Sequence, residues 1–234
     1  MPFYPYCGAA NAHAFALFLT AYDPECLVDA AVWRRIRCER PVLLDVGAGN
    51  GHLAGRFAPR CRLVWALEPD HNMLLQLHAA MAAPGAPANV GVLPCDAEAV
   101  PLPDASVDVV HARFAYFFGT DACLPGLAEA RRVLRHGGDM IVIEGSTHGD
   151  FGSIWREFFP SSFNADNQSA VLAFWRERGF THEHITTVWR APDRQTMADA
   201  LALEHSPEAI RSIMDRHPGC EMSCGIHLFH WRKE

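Results

Sequence analysis

Five short runs of almost purely apolar residues lie between residues 41 and 145, separated by segments of helical character, and they leave few folds open to the chain. They are PVLLDV (41–46), RLVWALE (62–68), NVGVLPC (89–95), SVDVVHAR (106–113) and DMIVIEG (139–145). A strand with one face in water alternates polar and apolar residues, whereas one apolar throughout is covered on both faces, as in parallel sheets. Helical patterns fill the gaps. One runs from the first strand's loop to about Phe57, and DHNMLLQLHAAMA (70–82) follows with Met73, Leu74, Leu77 and Met81 on one side. A third, DACLPGLAEARRVLRHGG (121–138), has Pro125 in its first turn and a Gly-Gly stop. With right-handed crossovers this is an α/β fold, a doubly wound and mostly parallel sheet. Its ligand crevice lies outside the carboxyl ends of the strands, at the switch point.

Beyond Gly145 the rhythm changes. FGSIWREFFPSSFNADNQS (151–169) reads as aromatic-rich and irregular, followed by a helix over about 168–178. HEHITTVWRA (182–191) reads as a strand, helices follow at about 193–204 and 207–216, and GIHLFHWRK (225–233) closes as a second strand able to pair antiparallel with the first.

The bulk numbers exclude several classes. At 234 residues the chain is one domain, and half of it is hydrophobic. With 27 Asp+Glu against 20 Lys+Arg the net charge is −7, which gives no overall attraction to a polyanion. The densest basic cluster, WRRIRCER (33–40), contains a carboxylate and reads as a solvated helix end. No charged residue precedes Asp23, yet a secretory signal's basic region is missing and Pro, Asn and His interrupt the apolar stretch. The expectation is a cytoplasmic protein with no nucleic-acid or membrane partner. None of the eight cysteines forms a C-x-x-C pair, and Cys220-x3-Cys224-x2-His227 matches no common zinc spacing, so reduced thiols and no metal are expected.

The first strand runs into LLDVGAGNGHL (43–53). In the dinucleotide fingerprint G-x-G-x-x-G the third glycine lets helix and strand pack closely. Here the glycines fall at Gly47, Gly49 and Gly51, His52 stands where that third glycine belongs, and no Gly-Lys-Ser/Thr follows as in a P-loop. Asp45 at the mouth of the loop is a poor neighbour for a pyrophosphate and suits a cationic cofactor with an ammonium group. Glu68 ends the second strand, where a carboxylate can accept both ribose hydroxyls, and Asp96 ends the third, where it can receive an adenine amino group. Each carboxylate alone can equally cap the helix that follows it.

In this arrangement the chain resembles the class I S-adenosylmethionine (SAM)-dependent methyltransferases, in the branch similar to ubiquinone/menaquinone-biosynthesis and other small-molecule enzymes. The resemblance runs from about Pro41 to Gly145, on VLLDVGAGNG, VWALEPDHNML, LPCDAEAVPLPDASVDVVHARF and EARRVLRHGGDMIVIE. It implies a seven-stranded Rossmann-like sheet whose last strand inserts antiparallel, with SAM as cofactor and S-adenosylhomocysteine as product. It further implies that Asp45, Gly47, Gly49 and Gly51 hold the methionine end and that Glu68 takes the ribose. Pro69 and Met73 line the adenine, Asp96 and Ala97 meet its edge, and His111 stands beside the cofactor. Cys95 departs from the pattern, which has Gly before the Asp. The single domain divides into an N-terminal lid or helical segment (1–40), the SAM-binding core (41–145), a substrate-side cap (146–180) and C-terminal strands and helices (181–234).

The acceptor is expected to be a small molecule methylated on O or N. Strand four ends in HARF (111–114), not in the Asp/Asn-Pro-Pro-Tyr/Phe used on nucleic-acid or glutamine amino groups. Pro94-Cys95 is at the wrong strand end for an RNA cytosine nucleophile, and strand four lacks the carboxylate of metal-dependent catechol enzymes. Candidate acceptor contacts are Tyr4, Tyr6, Arg113, Tyr116, His148 and Trp155, since strand-end loops carry function. Their aromatic content suits a planar or apolar acceptor, although an aromatic N-terminus can also simply dock on the core, as can the helix bearing Ala12, Phe15, Ala16 and Leu19. His111 is the candidate catalytic base, ahead of His148. The competing readings are an RNA or protein methyltransferase, a SAM-binding protein without transfer activity, and, against the glycine spacing, a nicotinamide oxidoreductase.

Overall fold

The structure, a computed structural model, describes residues 11–161 and 164–234. Strands β1 (Val42–Val46), β2 (Leu63–Leu67), β3 (Val90–Leu93), β4 (Val107–Arg113), β5 (Leu134–Gly145), β6 (Thr181–Arg190) and β7 (Glu221–Arg232) form one sheet in the order β3-β2-β1-β4-β5-β7-β6. The pairs β1–β2, β1–β4, β2–β3 and β4–β5 are parallel. Lys233 exchanges backbone bonds with Gly137 and Gly138, which sets the last strand antiparallel to β5. Ala191 N–H to Cys220 O at one end and Thr181 Oγ1 to His230 O at the other set β6 antiparallel to β7. This is the doubly wound, mostly parallel seven-stranded sheet with an antiparallel C-terminal strand that the sequence implies. The chain winds outward from β1 to β3 and returns to β4, so the switch point lies at the carboxyl ends of β1 and β4.

The helices are α1 (Ala12–Ala21), α2 (Leu27–Trp33), α3 (His52–Phe57), α4 (His71–Ala82), α5 (Leu124–Val133), α6 (Gly149–Phe158), α7 (Ala165–Glu177), α8 (Arg194–Leu201) and α9 (Pro207–Arg216). Side chains at the N-cap position itself accept from first-turn N–H groups at α4, α8 and α9: Asp70 from Asn72 and Met73, Asp193 from Thr196, and Ser206 from Ala209. No helix among the described residues is long and apolar enough to cross a membrane.

The chain forms two compact units. The first comprises Ala31–Glu144, Asp166–His184 and His227–Glu234. One of its clusters joins Leu44, Val110, Leu127, Met140, Trp175 and Phe229, and a second joins Leu43, Phe57, Val64, Leu77 and Val109. Buried Asp139 receives His230 Nε2 at 2.8 Å and Arg232 at 2.6 Å there. The second unit comprises the described residues up to Ala30, with Gly145–Ala165 and Ile185–Ile226. Phe18, Phe151 and Trp189 pack ring to ring at 5.5–5.9 Å in it, and buried Asp23 accepts from Leu27 N, Val28 N and Thr187 Oγ1.

Two elements differ from the sequence expectation. Residues 134–138 are not the tail of α5 but the start of β5. The β4–β5 register jumps from Val107↔Leu134 to Val109↔Asp139, so the intervening residues bulge. Gly137 takes φ +77, and a Cβ on Gly138 would meet Asp108 O at 2.8 Å. The Gly-Gly pair therefore serves a bulge rather than a helix stop. The stretch after residue 148 is not irregular: α6 covers Gly149–Phe158 and buries Phe151 and Ile154 on one side.

Candidate functional site

The glycine loop leaves β1 at the switch point. Gly47, Gly49 and Gly51 have φ of +71, +56 and +85, values that favour a residue without Cβ. The N–H groups of Gly47 and Ala48 both donate to Leu67 O at 2.9 Å, which folds the loop over the end of β2. A Cβ on Gly47 would sit 2.3 Å from the Ala115 methyl, and one on Gly51 would sit 2.4 Å from Leu77 Cδ1.

Glu68 fixes the loop from the β2 side. One carboxylate oxygen accepts from Gly49 N at 2.8 Å and the other from Asp70 N at 2.9 Å. Burial pushes its carboxyl upward, and these two N–H bonds pull it back down. Glu68 N–H donates to Leu93 O at 3.1 Å, so the ends of β2 and β3 are tied. Beyond β3, Asp96 is exposed and accepts from Glu98 N at 2.9 Å, while Ala97 is buried. Pro69 is exposed and Met73 buried.

Asp45 and His111 are cross-strand partners in the β1–β4 register. Both are almost completely buried, and His111 Nδ1 lies 2.8 Å from Asp45 Oδ1. With a carboxylate as acceptor, the Nδ1–H of His111 is the donor. Phe57 meets the imidazole edge-on at 5.0 Å. Among the described residues Asp45 Oδ2 and His111 Nε2 have no hydrogen-bond partner. A buried carboxylate oxygen in that condition is costly unless a cationic group meets it. The residues therefore fit SAM. Asp45 offers an acceptor for an ammonium, the glycine loop admits a close backbone approach, and Glu68 keeps lone pairs for ribose hydroxyls.

Arg113, at the end of β4, is buried. The Tyr116 phenol accepts from Gly126 N at 3.0 Å and donates to Glu98 at 3.1 Å, while burial pushes it up to about 12. Its ring fills the space over Gly126, where a Cβ would lie 2.2 Å away, so Tyr116 is turned onto the first turn of α5. His148 is exposed, with Nδ1 2.9 Å from Ser146 Oγ. Trp155 packs over Gly145 and donates to Glu204 at 3.1 Å. Tyr4 and Tyr6 lie outside the described residues.

The sequence reading missed Glu144 near the end of β5. It is buried, accepts from Trp175 Nε1 at 3.3 Å, and is pushed up to about 8 by burial. The signal was a lone carboxylate inside an apolar strand. Of the Cys220, Cys224 and His227 set, Cys224 is buried with its thiol pushed up by that burial, and His227 is bonded to His182 at 2.9 Å and Gln168 at 2.7 Å. Among the described residues no group of three His, Cys, Asp or Glu is placed to hold a metal.

Comparison with known proteins agrees with this geometry. Residues 43–138 match the methyltransferase domain family. The ubiquinone/menaquinone biosynthesis C-methyltransferase UbiE of Cupriavidus taiwanensis is 32% identical over 80% of this chain and 73% of its own length. The UbiE of Paraburkholderia phytofirmans is 27% identical over 74% of this chain, which spans only 65% of that relative. A candidate methyltransferase structure from Bacillus halodurans shares the fold, with TM-score 0.63 at 20% identity over 87% of this chain and 97% of its own.

Fold, site and relatives together define a SAM-dependent methyltransferase. The chain belongs to the class I family, in its UbiE-like branch, and its cofactor is SAM.

Proposed function

We propose that the chain methylates a small, planar, apolar acceptor, and that the strand-end residues hold the cofactor as follows. Asp45 takes the ammonium of the methionine end, with the Gly47–Gly51 backbone around it. Glu68 takes the ribose hydroxyls, Pro69 and Met73 line the adenine, and Asp96 and Ala97 meet its edge. The observation that carries the reading is the buried Asp45 oxygen, without a partner among the described residues, beside a loop of three positive-φ glycines. SAM supplies an activated methyl group for in-line displacement, so the protein's contribution is mainly alignment.

His111 acts through Asp45 in this account. Its ring is fully buried, bonded to Asp45 and edge-on to Phe57, which supports a positioning role in place of the acceptor's base. His148, exposed and supported by Ser146, is the imidazole able to take a proton from an acceptor that must lose one. Arg113, Trp155, Tyr4, Tyr6 and, through its ring alone, Tyr116 remain on the acceptor side of the proposal.

Absence of the amino-group and catechol motifs, with the acidic net charge, supports a small-molecule acceptor, which this reading takes to be methylated on O or N. A specific observation favours carbon as a second reading: the relatives named above are C-methyltransferases. One experiment separates them. The protein is incubated with SAM labelled by 13C at the methyl group and a panel of phenols, quinols and aromatic amines. The carbon shift of the transferred methyl then distinguishes O-, N- and C-methyl products. Label entering RNA or protein, with every small acceptor untouched, would overturn the small-molecule reading.

A further inference from the structure

Within the first unit, β5 carries near its end a carboxyl that cofactor binding does not use. Glu144 is the penultimate residue of that strand and is 8% exposed. Its Oε1 accepts from the indole N–H of Trp175 at 3.3 Å, and among the described residues the carboxyl has no other hydrogen bond and no ion pair. Ionising a carboxyl in such surroundings is costly, so the neutral form is favoured. Burial pushes Glu144 up to about 8, and the proton is therefore held at pH 7. The titratable groups around it leave this unchanged. The Cys123 thiol, beside the start of α5, is itself pushed up by burial and by Glu144. Arg113, at the end of the neighbouring β4, makes no ion pair with Glu144, and His227 on β7 is bonded to His182 and Gln168. With Oε1 taken by the indole, the carboxyl has an O–H to donate from Oε2.

Its place in the sheet selects the ligand. In the cofactor assignment proposed above, the methionine end lies at β1, the ribose at β2 and the adenine at β3. The ends of β4 and β5 lie on the other side of β1 and are left for the acceptor. Glu144 and Trp175 sit under the loop that leaves β4. Phe114 N–H donates to Ile143 O at 2.9 Å, next to Glu144 in sequence, and a Cβ on Gly119 would lie 3.1 Å from Trp175 Nε1. Phe114 and Tyr116 in this loop take φ of +53 and +52, a strained conformation for bulky residues of the kind that gathers at ligand sites.

We propose that Glu144 is a specificity-determining residue, whose carboxyl O–H donates to an oxygen on the methyl acceptor and selects that acceptor over its amine counterpart. An aryl amine presents N–H donors and a lone pair drawn into its ring, so it leaves the carboxyl O–H without a good partner, and a site built for one hydrogen bond rejects the analogue that lacks it. The proposal rests on the small planar acceptor proposed above.

The indole N–H of Trp175 reports on the carboxyl, since the two are bonded. The chain has six tryptophans, and the Trp175 signal in a 1H–15N spectrum is assigned with Trp175→Phe. The whole chain, saturated with S-adenosylhomocysteine, is titrated with 4-methylphenol and with its amine counterpart, 4-methylaniline. The expected result is a saturable shift of the Trp175 signal with the phenol, with the amine about tenfold weaker. Phenol affinity should decline as pH rises past about 8, where Glu144 ionises. Glu144→Leu should weaken the phenol about tenfold by calorimetry, whereas Glu144→Gln, which keeps a donor, should bind it within about twofold and lose the decline. No saturable binding of the phenol, equal binding of the amine, or unchanged affinity in Glu144→Leu overturns the proposal. If Glu144→Leu loses the other indole signals, Glu144→Gln decides, and a decline that persists in that variant overturns the proposal. The small-acceptor reading fails separately, through label that enters only RNA or protein in the 13C experiment.

Discussion

Replacing Gly47 by alanine isolates the steric constraint on the cofactor loop, because Gly85 provides a matched control. Both glycines have positive φ, +71 and +83, but a Cβ on Gly85 meets nothing within 4 Å whereas one on Gly47 meets the Ala115 methyl at 2.3 Å. Holding alanine in the left-handed region costs about 1–2 kcal/mol at either site. At Gly47 the new methyl opposes another methyl fixed to the backbone, so neither side can rotate away. Overpacking of this kind adds about 1–3 kcal/mol. Gly85→Ala is therefore expected to lose about 1–2 kcal/mol and Gly47→Ala about 2–5 kcal/mol, read from urea unfolding midpoints at constant slope. Only Gly47→Ala should also weaken SAM binding, by about tenfold or more, since the loop must shift where the cofactor approaches. Removing the opposing methyl with Ala115→Gly should restore the steric part, giving a coupling of about 1–3 kcal/mol in a double-mutant cycle. Equal losses at the two glycines, or no coupling to Ala115, would refute the close approach.

Glu144 is pushed up to about 8 by burial, so it stays protonated in the folded protein while the unfolded chain ionises near 4.5. Its contribution to stability is full below about 4.5 and is lost as pH rises toward 8, at up to about 1.4 kcal/mol per pH unit. Glu144→Gln should remove that decline in pH-dependent urea unfolding. His111→Asn should weaken SAM binding by about tenfold through loss of the Asp45 contact, yet leave the shape of the pH–rate profile unchanged. Loss of the profile's acidic limb would instead make His111 a base. Asp139→Asn leaves Arg232 and His230 without their buried carboxylate and should cost about 3 kcal/mol of stability, with SAM affinity intact by calorimetry.

The sheet and the glycine loop at the end of β1 were readable from the sequence because both rest on local signals. Apolar runs such as VLLDV mark strands covered on both faces, and the glycine spacing with its strand-end carboxylates falls where parallel sheets bind ligands. The α6 helix was also written there: Phe151, Ile154, Trp155 and Phe158 fall at helical spacing, but the density of aromatic residues hid the period. Arg135 to Gly138 misled for a different reason. A glycine pair after a basic turn reads as a helix stop, and only pairing with Lys233 across the sheet reveals a bulge. Tyr116 and Glu144 depend on distant partners, Gly126 with Glu98 and Trp175 respectively, and no local pattern announces such contacts.

The central claim is that the strand ends of β1 to β3 form a SAM site organised by Glu68. Calorimetric titration of the protein with SAM, S-adenosylhomocysteine and NAD, beside a Glu68→Ala variant, tests it most directly. The account predicts saturable binding of both adenosyl ligands, none of NAD, and a loss of about tenfold to hundredfold in the variant, from the ribose contact and the unanchored Gly49 N–H. Binding of NAD in preference to SAM, or SAM affinity indifferent to Glu68, would contradict it.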